Sequence, residues 1–105
     1  MFRPALLSLF LLLVASPDGA EEVVVHQKDK QFSLETAIVK PGDQIKFLND
    51  DTVSHNVLAT GPDDELQNSG VQAPGEATVI SFDKPGTYTI ECGIHPHMHM
   101  TVTVK

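Results

Sequence analysis

The chain has 105 residues and a formal net charge of −7, with 14 Asp and Glu against 7 Lys and Arg. That balance leaves no basic surface for a nucleic acid and excludes that class of partner. The length allows one domain, and a single cysteine, Cys92, excludes an internal disulfide.

Met1-Phe2-Arg3-Pro4 carries a positive charge and runs into the apolar stretch Ala5 to Val14. This reads as a secretory signal peptide over residues 1–20, too short to span a bilayer comfortably and followed by polar sequence. Cleavage is expected after Ala20, although Asp18 stands where a small residue is usual; a cut near Ser16 is opposed by Pro17. The remaining domain, residues 21–105, would then have no membrane span and would work outside the cytoplasm, in the periplasm. A core of about 85 residues without disulfides gains from a further tie, and a bound metal would serve.

Past the leader the chain shows short strands separated by turns and no long helical period. Val23-Val24-Val25 starts the first strand. Phe32, Leu34 and Ile38 fall on alternate positions and predict a second. Pro41-Gly42-Asp43 is a turn, with Pro setting φ and Gly free to take a positive φ. Ile45 and Phe47 alternate with Gln44 and Lys46, and Asn49-Asp50-Asp51 ends that strand. Val53, His55 and Val57 share one parity. Gly61 to Gly70 is a polar loop with a short helical turn expected at Asp63 to Leu66. Ala77 to Phe82 is a strand, and Pro85-Gly86 turns the chain again. Tyr88, Ile90 and Cys92 face one side, with Thr89 and Glu91 facing the other. Thr101 to Lys105 is the last strand, with Val102 and Val104 inward; extended backwards, its phase turns Met100 and Met98 inward and His97 and His99 toward water. Strands this short, with turns at this spacing, predict an all-β sandwich or barrel.

The chemistry concentrates in Cys92-Gly93-Ile94-His95-Pro96-His97-Met98-His99-Met100. Outside the leader's Met1, both methionines lie within eight residues of the only cysteine, and three of the five histidines lie there too. Thiolate and thioether favour Cu(I), while imidazole suits both copper states. Two His and one Cys around copper, with a long axial Met, form an electron-transfer site. Cys92 is the expected thiolate ligand, His95 its near neighbour and His55 the remote imidazole. Met98 is the preferred axial ligand, with Met100 the alternative and core packing the better use of it. His97 and His99 are left for solvent, for a weak second metal site, or as substitutes for His95. Zinc can use the same donors, but a soft thioether suits it less.

These residues resemble the cupredoxin (type 1 blue copper) family, which includes plastocyanin, pseudoazurin and amicyanin. The resemblance runs through Val39-Lys40-Pro41-Gly42-Asp43, Ile45-Lys46-Phe47-Leu48-Asn49, Ser54-His55-Asn56-Val57 and Pro85-Gly86-Thr87-Tyr88-Thr89-Ile90-Glu91-Cys92. The short interval from Cys92 through His95 to Met98 is similar to the amicyanin loop. Gly93 and Ile94 depart from the Thr-Pro pair often seen there, and His97 and His99 are extra donors. The resemblance implies a Greek-key β-sandwich of one domain and one type 1 copper held by His55, Cys92, His95 and Met98. It also implies that Asn56 braces the Cys92 loop by a hydrogen bond.

The function expected is that of a small soluble electron carrier. It would be a monomer that docks transiently on redox proteins through Ala73, Pro74, Ile94 and Pro96 around His95. A copper-binding module for storage or delivery is the alternative. Catalysis is not expected, because four protein ligands close the metal and no acid–base or nucleophile arrangement accompanies it.

Overall fold

A computed structural model describes residues 22–105; the leader expected at residues 1–20 lies outside the described residues. Nine strands are present among the described residues: β1 (Val23–Lys28), β2 (Gln31–Phe32), β3 (Thr36–Val39), β4 (Asp43–Asn49), β5 (Leu58–Thr60), β6 (Leu66–Asn68), β7 (Ala77–Phe82), β8 (Gly86–Glu91) and β9 (His99–Val104). They make two sheets, ordered β2-β1-β4-β7 and β3-β9-β8-β5-β6. β1 runs parallel to β4 and β3 parallel to β9, while the other neighbours are antiparallel. This is the all-β Greek-key sandwich that the strand pattern and the resemblance predict.

Alternation supplies the core. Val25, Ile45, Phe47, Ile80 and Phe82 point inward from one sheet, and Ala59, Tyr88, Ile90, Val102 and Val104 meet them from the other. Phe82 and Tyr88 join the layers edge to face, ring centres 4.9 Å apart, a favoured aromatic geometry. Gly42 takes φ 92° in a turn closed by the Asp43 N–H to the Lys40 carbonyl at 3.0 Å. Pro at the second position and Gly at the third make it a type II turn.

Two local expectations are corrected. Phe32, Leu34 and Ile38 do not lie on one strand: the chain leaves the first sheet after Phe32 and enters the second at Thr36. Ile38 is therefore exposed, and Val39 is the residue turned inward. In place of the helical turn expected at Asp63 to Leu66 there is a reverse turn, closed by the Asp64 N–H to the Gly61 carbonyl at 3.0 Å, that leads into β6, which pairs antiparallel with β5 at the sheet edge. Charged residues near a turn hid a three-residue strand supported by its β5 partner and by Gln67 Nε2 donating to the Ser81 carbonyl at 2.8 Å.

Candidate metal centre

Cys92 follows the last residue of β8 and keeps that strand's inward phase, so its side chain is buried with Tyr88 and Ile90. His95 lies in the loop that returns to β9. Two backbone bonds shape this loop: Met98 N–H to the His95 carbonyl at 2.9 Å, and Cys92 N–H to the Met98 carbonyl at 3.3 Å. The second bond continues the β8–β9 ladder, in which His99 faces Glu91 and Met100 faces Ile90. Met98 is thus the cross-strand neighbour of Cys92, and Met100 sits one step deeper; both are buried. The inward phase predicted for Met98 and Met100 holds, as does the exposure of His97 and His99.

His55 arrives from the link between β4 and β5. It lies outside any strand, but its backbone pairs in both directions with Gln72, His55 N–H to the Gln72 carbonyl at 3.1 Å and Gln72 N–H to the His55 carbonyl at 2.7 Å. That bridge preserves the parity of Val53, His55 and Val57 and fully buries the imidazole. The Nδ1 of His55 is 3.7 Å from Cys92 Sγ, the Nδ1 of His95 is 3.9 Å from it, and the two nitrogens are 3.1 Å apart. A point equidistant from atoms so spaced lies about 2.1 Å from each, which is metal–ligand bonding distance for imidazole and thiolate. Cys92, His55 and His95 therefore fit one ion, and Met98 is the adjacent soft donor. The donor set matches the His-Cys-His(-Met) arrangement of a type 1 copper site.

The surroundings orient these ligands. Asp51 Oδ2 lies 2.9 Å from His55 Nε2. A carboxylate on that nitrogen holds its proton there and leaves Nδ1 free to face the cluster. The same oxygen accepts the Lys30 N–H at 2.9 Å, and Oδ1 accepts the Thr52 N–H at 2.8 Å. The backbone bond from Lys30, then the His55 ring, then the backbone bond from Thr52 hold the Asp51 carboxyl well below the usual carboxylate range. Lys30 can reach it because Asp29 and Lys30 both have positive φ in the hairpin between β1 and β2. Burial pushes the His95 imidazole below its ordinary value, and the neighbouring His55 acts in the same direction.

Asn56 braces the loop as the resemblance implies. Its Oδ1 accepts the Gly93 N–H, and its own N–H points at Cys92 Sγ at 3.5 Å. A Cβ at position 93 would lie 3.2 Å from Leu58 Cδ1, so a glycine suits this close approach. Beneath His55, buried Gln72 donates from Nε2 to the Phe47 carbonyl at 3.1 Å and accepts from Gln27 Nε2 at 2.8 Å. Asn49 Nδ2 donates to the carbonyls of Gln72 and Val53, each at 3.0 Å. The sequence reading missed Asp51, Gln72 and Asn49. For Asp51 a signal was present: a carboxylate four residues before a candidate ligand histidine.

Comparison with known proteins agrees with this geometry. Residues 4–104 match the family described as the cupredoxin-like domain, and the chain belongs to that family. It is similar to the methylamine utilization protein MauL of Methylophilus methylotrophus, with 30% identity covering 96% of this chain and 67% of that protein. It is also similar to amicyanin-alpha of Methylorubrum extorquens, with 29% identity covering 86% of this chain and 76% of that one. Among solved structures, a reduced Cu(I) form of an amicyanin variant superposes with a TM-score of 0.72 at 26% identity, covering 88% of this chain and 86% of the other. No helix among the described residues is long and apolar enough to cross a membrane.

Proposed function

We propose that this chain is a small periplasmic electron carrier in which His55, Cys92 and His95, with Met98 as a weaker fourth donor, would hold one type 1 copper. The observation that carries this reading is the spacing of Cys92 Sγ and the two Nδ1 atoms, each placed to meet a single ion. When bound, copper supplies a one-electron couple between Cu(II) and Cu(I). The chain's own residues set the conditions for that couple. Asp51 and Gln72 fix His55, Asn56 fixes the turn after Cys92, and the β8–β9 ladder fixes Met98. Donors held this firmly by the fold move little when charge changes, which keeps the reorganisation cost low. Burial shields the Cys92 sulfur from oxidants.

His95 is the only half-buried member of the cluster, and it is the proposed exit for the electron. Ala73, Pro74 and the residues flanking His95 in the chain, Ile94 and Pro96, are exposed and are the proposed docking patch for redox proteins. Such encounters use small interfaces and release quickly, which suits a monomer. Four protein donors leave no open position for a substrate, so the chain is proposed not to be an enzyme. Similarity to a methylamine utilization protein supports a partner in amine oxidation.

A second reading, copper storage or delivery, draws on the exposed His97 and His99 beside the cluster. Absorption and EPR spectra of the copper-loaded protein separate the two. A carrier gives an intense thiolate-to-copper band and reversible one-electron redox, both lost in Cys92→Ala. A complex without that band, whose Cys92 still reacts freely with an alkylating reagent, would falsify the carrier reading. Colourless Cu(I) binding with release to an acceptor would establish delivery.

A further inference from the structure

Three imidazoles take no part in the buried cluster, and one of them, His26, pairs with Asp50. His97 and His99 flank core-facing Met98, and both are exposed. Both line one cleft of about 480 Å³, which opens between the start of β9 and the segment from Lys30 to Thr36 where the chain changes sheets. Met98, Glu35 and Lys30 line it as well.

We propose that His97 and His99 together chelate a divalent metal ion at this cleft, forming a second site separate from the His55–Cys92–His95 cluster. Two imidazoles with a carboxylate make a nitrogen–oxygen donor set, which suits Cu(II) or Zn(II); the Met98 side chain also lines the cleft but is buried and assigned to the inner cluster. Carboxylates stand near the pair, and swinging one onto the ion would complete the set, because among the described residues no His97–His99–carboxylate group is already closed to within 4.8 Å. Glu91 stands directly opposite His99 in the antiparallel ladder, a placement that brings side chains within about 5 Å at Cβ, and Glu35 lines the cleft itself. Lys30 opposes a cation there and keeps binding weak, while the net charge of −7 draws cations toward the surface.

The position of this pair gives it a purpose. The His97 ring centre is 6.5 Å from that of His95, and Met98 both lines the cleft and neighbours Cys92. An ion captured by His97 and His99 is held beside the one cluster ligand that reaches solvent. The pair is therefore a capture point from which the buried donors fill.

The test uses the full chain, stripped of metal and titrated with cupric ion, with bound copper counted after desalting and read by EPR. The expected result is a second equivalent showing the wide copper hyperfine splitting of an ordinary nitrogen–oxygen site. In the His97→Ala/His99→Ala double variant this second equivalent weakens by about tenfold or more, roughly 1.4 kcal/mol, and the buried site fills more slowly. A single equivalent in the unaltered chain, or a second that persists unchanged in the double variant, overturns the proposal. The buried site is read separately by its thiolate band. Loss of that band from the unaltered chain counts against the electron-carrier reading and leaves the count at His97 and His99 intact.

Discussion

Met98 and Met100 are both buried, both sulfur-bearing and two residues apart, yet the β8–β9 ladder gives them different work. Met98 stands across from Cys92, whereas Met100 stands across from Ile90 in the apolar interior. Met100→Ala is expected to cost about 2–5 kcal/mol in urea unfolding, as core truncations do, and to leave the visible band of the copper form in place. Met98→Ala is expected to change that band and the reduction potential. A Met100→Ala variant with the altered spectrum and a Met98→Ala variant without it would reverse the assignment. Asp51 offers a second residue-scale test. Removing its charge in Asp51→Asn weakens the hold on His55 Nε2, and metal affinity is expected to fall about 10–100-fold, as with other partners behind ligand histidines. The same change has a pH signature. The folded carboxyl ionises below its unfolded value of about 3.9. It therefore stabilises the metal-free protein fully above that value and loses its effect as pH falls through the folded pKa. Urea unfolding at pH 7 and at pH 3 should show the variant's deficit shrinking on the acid side.

At the scale of elements, turns bear unequal loads. Gly86 opens β8 with φ 136°, and a Cβ there would lie 2.8 Å from Pro62 Cβ. Gly42 also needs positive φ but has open space around it. Gly42→Ala is expected to cost about 1 kcal/mol for backbone strain alone, and Gly86→Ala about 2–4 kcal/mol because steric overlap adds to it. Equal losses in thermal unfolding would count against a clash at Pro62. The elements also mark where local pattern carries information. Tyr88 and Ile90 alternate along β8 and Cys92, just past its end, keeps their phase, so their orientation could be read directly. Phe32 and Ile38 could not be read that way. They have matching parity but belong to different sheets, and the switch between them is fixed by pairing with Gln27 and Thr103, residues whose proximity no local period reveals. β6 is another such case, since Leu66 to Asn68 gains its strand form only from Leu58 to Thr60.

Across the whole molecule, the cluster gathers donors from two regions far apart in the chain. His55 is held by Asp51 and Gln72, which are tied in turn to the β1–β2 hairpin and to β4, while Cys92, His95 and Met98 lie in the loop that joins β8 and β9 of the opposite sheet. A ligand that binds only the folded form stabilises it by mass action, about 4 kcal/mol at a thousandfold excess over Kd. Chelation of the metal is therefore expected to lower Tm by about 16 °C or more for a domain of this size, measured by calorimetry before and after dialysis against a copper chelator. An unchanged Tm would mean that no such tie forms. The same separation explains what was legible beforehand. Three of the four proposed donors lie within seven residues of one another, so softness and spacing announced them. His55 was reached because a second imidazole was required. Asn49 and Gln72 stayed hidden because their roles arise from approach across the fold, whereas Asp51, four residues before His55, carried a local signal that went unread.

The carbonyl of Met98 accepts the Cys92 N–H, so the residue proposed to set the axial contact is anchored by its main chain rather than by its flexible thioether. Its thioether is enclosed in the core at 2% exposure, so packing around that side chain decides where the sulfur lies. Evolution could thus retune the voltage of the centre by exchanging that one side chain, while the frame around it stays as it is.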